Sequence, residues 1–250
     1  MEVHEHPHHV THSKKWSEYV LEFLMLFLAV FLGFLAESYR EQLVEREREK
    51  EYMHAMLADL RLDSLRCANN ISKNEVLKKV RDSLTQFAFS AKKMTAKDIK
   101  QLYYFNKKNT DIVVIPYKER TLDQLKNAGG YRLIKHQNVS DSILNYGQGI
   151  AWQKGLNDNF TYLRREFNNT IDQIFDQSSI TKYSSAEALL QSNETFTLLD
   201  DNRKTLLGYG NKLVRRDFAI NSIVMEQKLQ FNRCLRLIHL IKKEYHLEEE

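Results

Sequence analysis

Five histidines crowd the first twelve residues: His4, His6, His8, His9 and His12, within MEVHEHPHHVTHSKK. Imidazoles suit zinc, copper and nickel. Nothing nearby frames them: the stretch has no Cys, carries Pro7 and lacks an apolar face. The expectation over 1–15 is a disordered, His-rich tail that chelates metal adventitiously, with no assigned metal centre.

Glu22 is the second group of interest. It sits in the one strongly apolar stretch, KKWSEYVLEFLMLFLAVFLGFLAESYREQ, Lys14 to Gln42. Phe23 to Ala36 is 14 residues without a polar side chain. Trp16 to Tyr39 reaches the roughly 20 residues that cross a bilayer core. Trp16, Tyr19 and Tyr39 fall where aromatic belts form, and Lys14, Lys15 and Arg40 supply snorkelling flanks. Glu22 then reads as an interfacial carboxylate one turn from Glu18. The functional alternative is a charge inside an oligomeric bundle or pore. A soluble core helix would need partners on every face, because residues 24–28 are apolar all round. A cleaved signal peptide would want small residues at a cut site, and GFLAESYREQ follows instead. The expectation is a retained transmembrane helix over 16–39.

Other chemistry is sparse. Cys67 and Cys234 form neither a zinc pattern nor a disulfide framework. Both fall on apolar stripes, which predicts buried thiols, joined only if the first and last helices touch at that level. Asp59 and Asp63 share a helix face and read as solvated or paired surface groups. Gly129-Gly130, without G-x-G-x-x-G or a Walker lysine, reads as a left-handed helix cap. Neither G-x-S-x-G nor C-x-x-C occurs. No catalytic or cofactor-binding residue is assigned. The arginines of YREQ, LRRE and LVRRD are anion-binding in type, but mixed charge surrounds them. A net charge of +4 over 250 residues, without a basic patch, argues against a nucleic-acid partner.

With only 8 Gly and 2 Pro, long helices are favoured. A charged stalk helix is expected over 40–72, loosening at Asn69-Asn70, with Met53, Leu57, Leu60, Ser64, Cys67 and Ile71 on one face. A helical bundle should fill 73–250. Thr95 with Asp98 resembles a capping box. Ile112 to Ile115 reads as a short extended stretch before Pro116. Asn138 or Ser140 should cap a helix through Tyr146. A further helix should carry Trp152, Leu156, Phe160, Leu163, Phe167, Ile171 and Ile174 inward. Ser185 to Gln191 reads as a short helix. The last helix, about 200–245, should bury Leu206, Leu213, Ile220, Val224, Phe231, Cys234, Ile238 and Ile241. The fold class is all-α: one transmembrane helix, a stalk, and an antiparallel bundle.

The order of features resembles a family of uncharacterised single-pass membrane proteins of Bacteroidetes, classed as a domain of unknown function. Glu51, Met56, Asp59 and Leu60 approximate its first helical pattern, and Leu125, Gly129, Ile134, Ile143 and Tyr146 its second. The likeness covers about 21–146. It implies a bacterial inner-membrane location with the C-terminal domain in the periplasm, whereas a bare Lys/Arg count around the span favours the cytoplasm. The family carries no known activity. The functional expectation is a membrane-anchored interaction, scaffold or accessory protein. Its partners would be the lipid bilayer and either a homo-oligomer or another membrane protein. The alternative is a sensory or transport-related component, with an enzyme third.

Overall fold

The computed structural model describes residues 15–90, 93–109 and 114–247. Seven α-helices follow in order: α1 (Trp16–Phe89), α2 (Ala96–Lys108), α3 (Arg120–Asn127), α4 (Gln137–Ile174), α5 (Gln177–Thr181), α6 (Ala186–Gln191) and α7 (Arg203–Tyr245). A 3-10 turn, Gly130–Leu133, separates α3 from α4. The chain divides into two units, to Lys50 and from Glu51.

The first unit is the leading part of α1. Its apolar side chains stand exposed, with Phe34 at 76 % and Leu26 at 68 %. Phe23, Phe27 and Phe31 stack along one side, with ring centroids 6.4 and 5.9 Å apart. This helix is long and apolar enough to cross a membrane, and none of its apolar window is buried. Surface pairs follow at i, i+3 spacing: Glu37–Arg40 at 2.5 Å and Glu47–Lys50 at 3.2 Å.

The second unit is a helical bundle. Its core is apolar at both ends. One end joins Met53, Met56 and Leu60 of α1 to Ile143 and Tyr146 of α4 and Leu237 and Ile241 of α7. The other joins Leu84 and Ala88 to Phe167 and Ile174 and to Leu206, Tyr209 and Leu213, with Leu102, Tyr103 and Leu189 from the short helices. These levels make α7 antiparallel to both α1 and α4. Between them lies a small cluster of Phe160, Ile220 and Ile223. Amides and charges fill the rest of the middle.

Several local expectations hold. The Thr95–Asp98 capping box forms, the short helix expected over Ser185 to Gln191 is α6, with Ser185 as its cap, and Gly129 takes φ 65°, the left-handed conformation that closes α3. Others are corrected. The stalk does not end at 72; α1 runs unbroken to Phe89. Asn70 turns inward, its Nδ2 donating to Gln227 Oε1 at 2.7 Å, and Asn74 Nδ2 donates to Asn70 O at 2.9 Å. These bonds occupy both amide donors, which would otherwise compete with the helix. The two helices expected around Tyr146 are one, α4, which starts at Gln137 rather than after Asn138 or Ser140. Asn138 Oδ1 accepts instead from the adjacent Val139 N–H. Trp152 is 65 % exposed, and its neighbour Gln153 takes the inward place. Ile112 and Val113 of the expected extended stretch, like the His-rich tail, lie outside the described residues.

Candidate functional site

The densest cluster of titratable groups in the bundle surrounds Asp63. Sequence reading places this carboxylate at the surface, yet its side chain has no exposed area. Leu60 and Cys67 flank it one turn either way on the buried face of α1, so the helix carries it inward. Tyr146 Oη donates to its Oδ2 at 2.6 Å, and the Lys118 N–H donates to Oδ2 at 2.9 Å and Oδ1 at 3.1 Å. Arg66 lies 3.4 Å from Oδ1 and also donates to Pro116 O. Burial pushes the Asp63 carboxyl above its ordinary range, against the downward pull of Tyr146, Lys118 and Arg66. Asp59, one turn earlier, accepts from Thr121 Oγ1 at 2.6 Å. Together these two carboxylates hold the segment after Pro116 against α1.

Tyr117 connects this group to the middle of the bundle. Its hydroxyl donates to Gln153 Oε1 at 2.5 Å and lies 3.5 Å from Cys67 Sγ. Cys67 and Cys234 are buried and free, so the expected burial is found and no disulfide joins them. Burial pushes both thiols and the phenols of Tyr117 and Tyr146 up, which keeps all four protonated near neutrality. A carboxylate among phenols and thiols has the composition of an acid–base site. Here the groups hydrogen-bond to one another or to the backbone, and burial suppresses the ionised thiol that nucleophilic chemistry needs.

Deeper along the bundle, Gln230 Nε2 donates to Tyr146 O at 2.9 Å, while its Oε1 accepts from Arg233 at 2.9 Å. Arg233 also donates to Glu226 at 2.5 Å. Arg81 Nε donates to Asp217 Oδ1 at 2.5 Å. Arg216, the residue before Asp217, is buried over Phe167 at 4.8 Å and Phe160 at 5.9 Å, with Nη1 donating to Asn109 Oδ1 at 3.1 Å. Three buried amide atoms in this belt, Asn74 Oδ1, Gln153 Nε2 and Gln227 Nε2, make no hydrogen bond. Sequence reading missed Asp63, Gln153, Arg216 and Gln227 as interior groups. The available signal was their spacing, since each falls in step with the apolar stripe of its helix.

The other sequence candidates do not converge. Glu22 stands exposed on the apolar part of α1. His136 pairs with Glu244 at 3.1 Å and rests edge-on against Tyr245. Among the described residues no group of three His, Cys, Asp or Glu could hold a metal ion. His4, His6, His8, His9 and His12 lie outside those residues. Their string His4-Glu5-His6-Pro7-His8 spells H-E-x-x-H, but Pro7 is incompatible with the helix interior which that motif uses. Open grooves mark the surface of the described residues, two of them along the long helices. One of about 740 Å³ is lined by Ser142, Asn145, Arg236 and His239, and one of about 390 Å³ by Asn74, Lys78, Arg81, Asn221 and Lys228. In the second groove Lys78 faces Asp82, Arg81 faces Asp217 and Lys228 faces Glu75, so its cations are matched by acids. No family model, no curated protein and no solved structure matches the chain.

Proposed function

We propose that this chain is a single-pass membrane protein that presents a helical bundle as an interaction scaffold or accessory subunit, without catalysis of its own. The supporting observation is the contrast between its two units. The helix before Tyr39 exposes nearly every apolar side chain, which water opposes and lipid favours. The bundle buries its apolar side chains and bonds buried Asp63, Asn70 and Arg81 internally. The resemblance to Bacteroidetes single-pass proteins adds a bacterial inner membrane as the location and the periplasm as the side of the bundle.

Carbonate washing of membranes from expressing cells tests the anchor. The full chain should stay in the pellet and be released by detergent; recovery in the aqueous fraction overturns the reading. Thr161→Cys, on an exposed turn of α4, tests the side. A membrane-impermeant maleimide should label it in intact spheroplasts, and labelling only after lysis puts the bundle in the cytoplasm.

A second reading is favoured by the unbonded amides in the middle of the bundle. There the bundle is a sensory or transport-related element in which a small polar ligand or ion satisfies those groups. Thermal-shift screening of the detergent-solubilised chain separates the two. A scaffold shows no metabolite-dependent shift, whereas a saturable shift with one metabolite replaces it with the second reading.

A further inference from the structure

We infer that the outward face of α1 between Ala55 and Val76 is the seam of a parallel, two-stranded coiled coil with a second copy of this chain. The inference rests on the membrane-anchored reading and specifies its oligomeric partner. Ala55, Ala58, Leu62, Leu65, Asn69, Ser72 and Val76 follow one another at steps of 3, 4, 3, 4, 3 and 4, the a/d spacing of a coiled coil. All seven are exposed, with Leu65 at 62 % and Val76 at 63 %. The same turns bury Met56, Leu60, Asp63, Cys67, Asn70 and Asn74 on the opposite side, so the bundle already accounts for that face. A helix that only needed to be soluble would carry charge on its outer face. This one carries small and aliphatic residues with a single amide, Asn69, at an a position. A buried Asn there selects two strands and one register.

A second copy fits this face for two reasons. Every copy enters lipid through the same residues, with Tyr39 sixteen positions before Ala55. Identical residues of neighbouring copies therefore lie at the same chain distance from the bilayer, N-terminus beside N-terminus, as a parallel seam requires. The size of the seam points the same way. Twenty-two residues of helix are roughly 33 Å long and about 10 Å wide, a contact of about 300 Å² per copy. A stable interface between free proteins buries about 800 Å² per partner. The seam is too small to hold free copies together and suits copies whose effective concentration a shared membrane raises. The flanking Arg66 is held inward by Asp63 and Pro116 O, which turns its charge away from a partner.

Oxidative cross-linking of the full chain in native membranes tests this, with single cysteines added beside the buried natural pair. Leu65→Cys, Asn69→Cys and Ser72→Cys should give a covalent dimer several-fold above wild type. Ala68→Cys, on the flank, and Met225→Cys, on the exposed face of α7, should stay near the wild-type level. Adding Leu65→Glu to Ser72→Cys should abolish the dimer while leaving helical content unchanged. Equal cross-linking at Ala68 and Asn69, or cross-linking concentrated at Met225, overturns the seam. A carbonate wash of the same samples separates the two ideas: protein retained in the membrane without the periodic pattern sinks the dimer and leaves the anchor standing.

Discussion

The hydroxyl of Tyr146 donates to Asp63 Oδ2 at 2.6 Å, tying α4 to α1 through a carboxylate with no exposed surface. Tyr146→Phe removes that donor and leaves the acid with the Lys118 N–H and the more distant Arg66. A buried acceptor deprived of a partner costs about 1–3 kcal/mol. The urea midpoint of the bundle, followed by far-ultraviolet circular dichroism, should fall accordingly. Tyr162→Phe, at an exposed hydroxyl, should leave it unchanged.

The pH dependence of Asp63 has a definite sign. In the fold its carboxyl holds a proton above the ordinary value of 3.8. A group of this kind contributes stability that is full below the unfolded value and lost as pH rises through the folded one. Asp63→Asn cannot titrate. Its cost relative to wild type should be largest on the acid side and shrink toward neutrality. A cost that grows as pH rises contradicts the assignment.

Arg216 holds its guanidinium 4.8 Å from the Phe167 ring centre and 5.9 Å from that of Phe160, and a guanidinium packs on aromatic faces better than an ammonium. Arg216→Lys keeps the charge but loses the planar contact and the geometry toward Asn109. Such a desolvated ring contact is worth about 2 kcal/mol, and the midpoint should drop by a comparable free energy.

Two glycines of α4 should answer the same substitution in opposite ways. A Cβ at Gly149 would meet Gln230 Oε1 at 2.1 Å and Arg233 Nη1 at 2.6 Å, and Gln230 is itself fixed by Tyr146 O. Gly155 has nothing within 4 Å. Gly155→Ala should stabilise by about 0.5–1 kcal/mol through helix propensity. Gly149→Ala should lower the melting temperature.

Cys67 and Cys234 should resist alkylation in the folded chain at mildly alkaline pH, because burial both blocks access and raises the thiols. Mass spectrometry after an iodoacetamide pulse should find them unmodified until denaturant is added. Rapid native labelling of either would show that the core opens.

The sequence alone was enough for the all-α class, the apolar run from Phe23 to Ala36, the Thr95 cap, the short helix around Ser185 to Gln191 and the Gly129 turn. Each depends on residues within one or two turns, and spacing, breakers and side-chain caps act at that range. The inward residues Met53, Leu57, Leu60 and Cys67 were legible for the same reason. Tertiary structure decided which polar residues join them. Asp63 is buried because Tyr146 and Lys118 arrive from 83 and 55 positions away to satisfy it, and Asn70 because Gln227 arrives from 157. An isolated helix gives a polar group beside an apolar stripe no reason to turn inward, since water bonds it as well. Only distant donors and acceptors, brought to the same level by the packing of α1, α4 and α7, offset its loss of hydration. That same requirement carried α1 past Asn69-Asn70 and placed Gln153 inside while Trp152 stayed out.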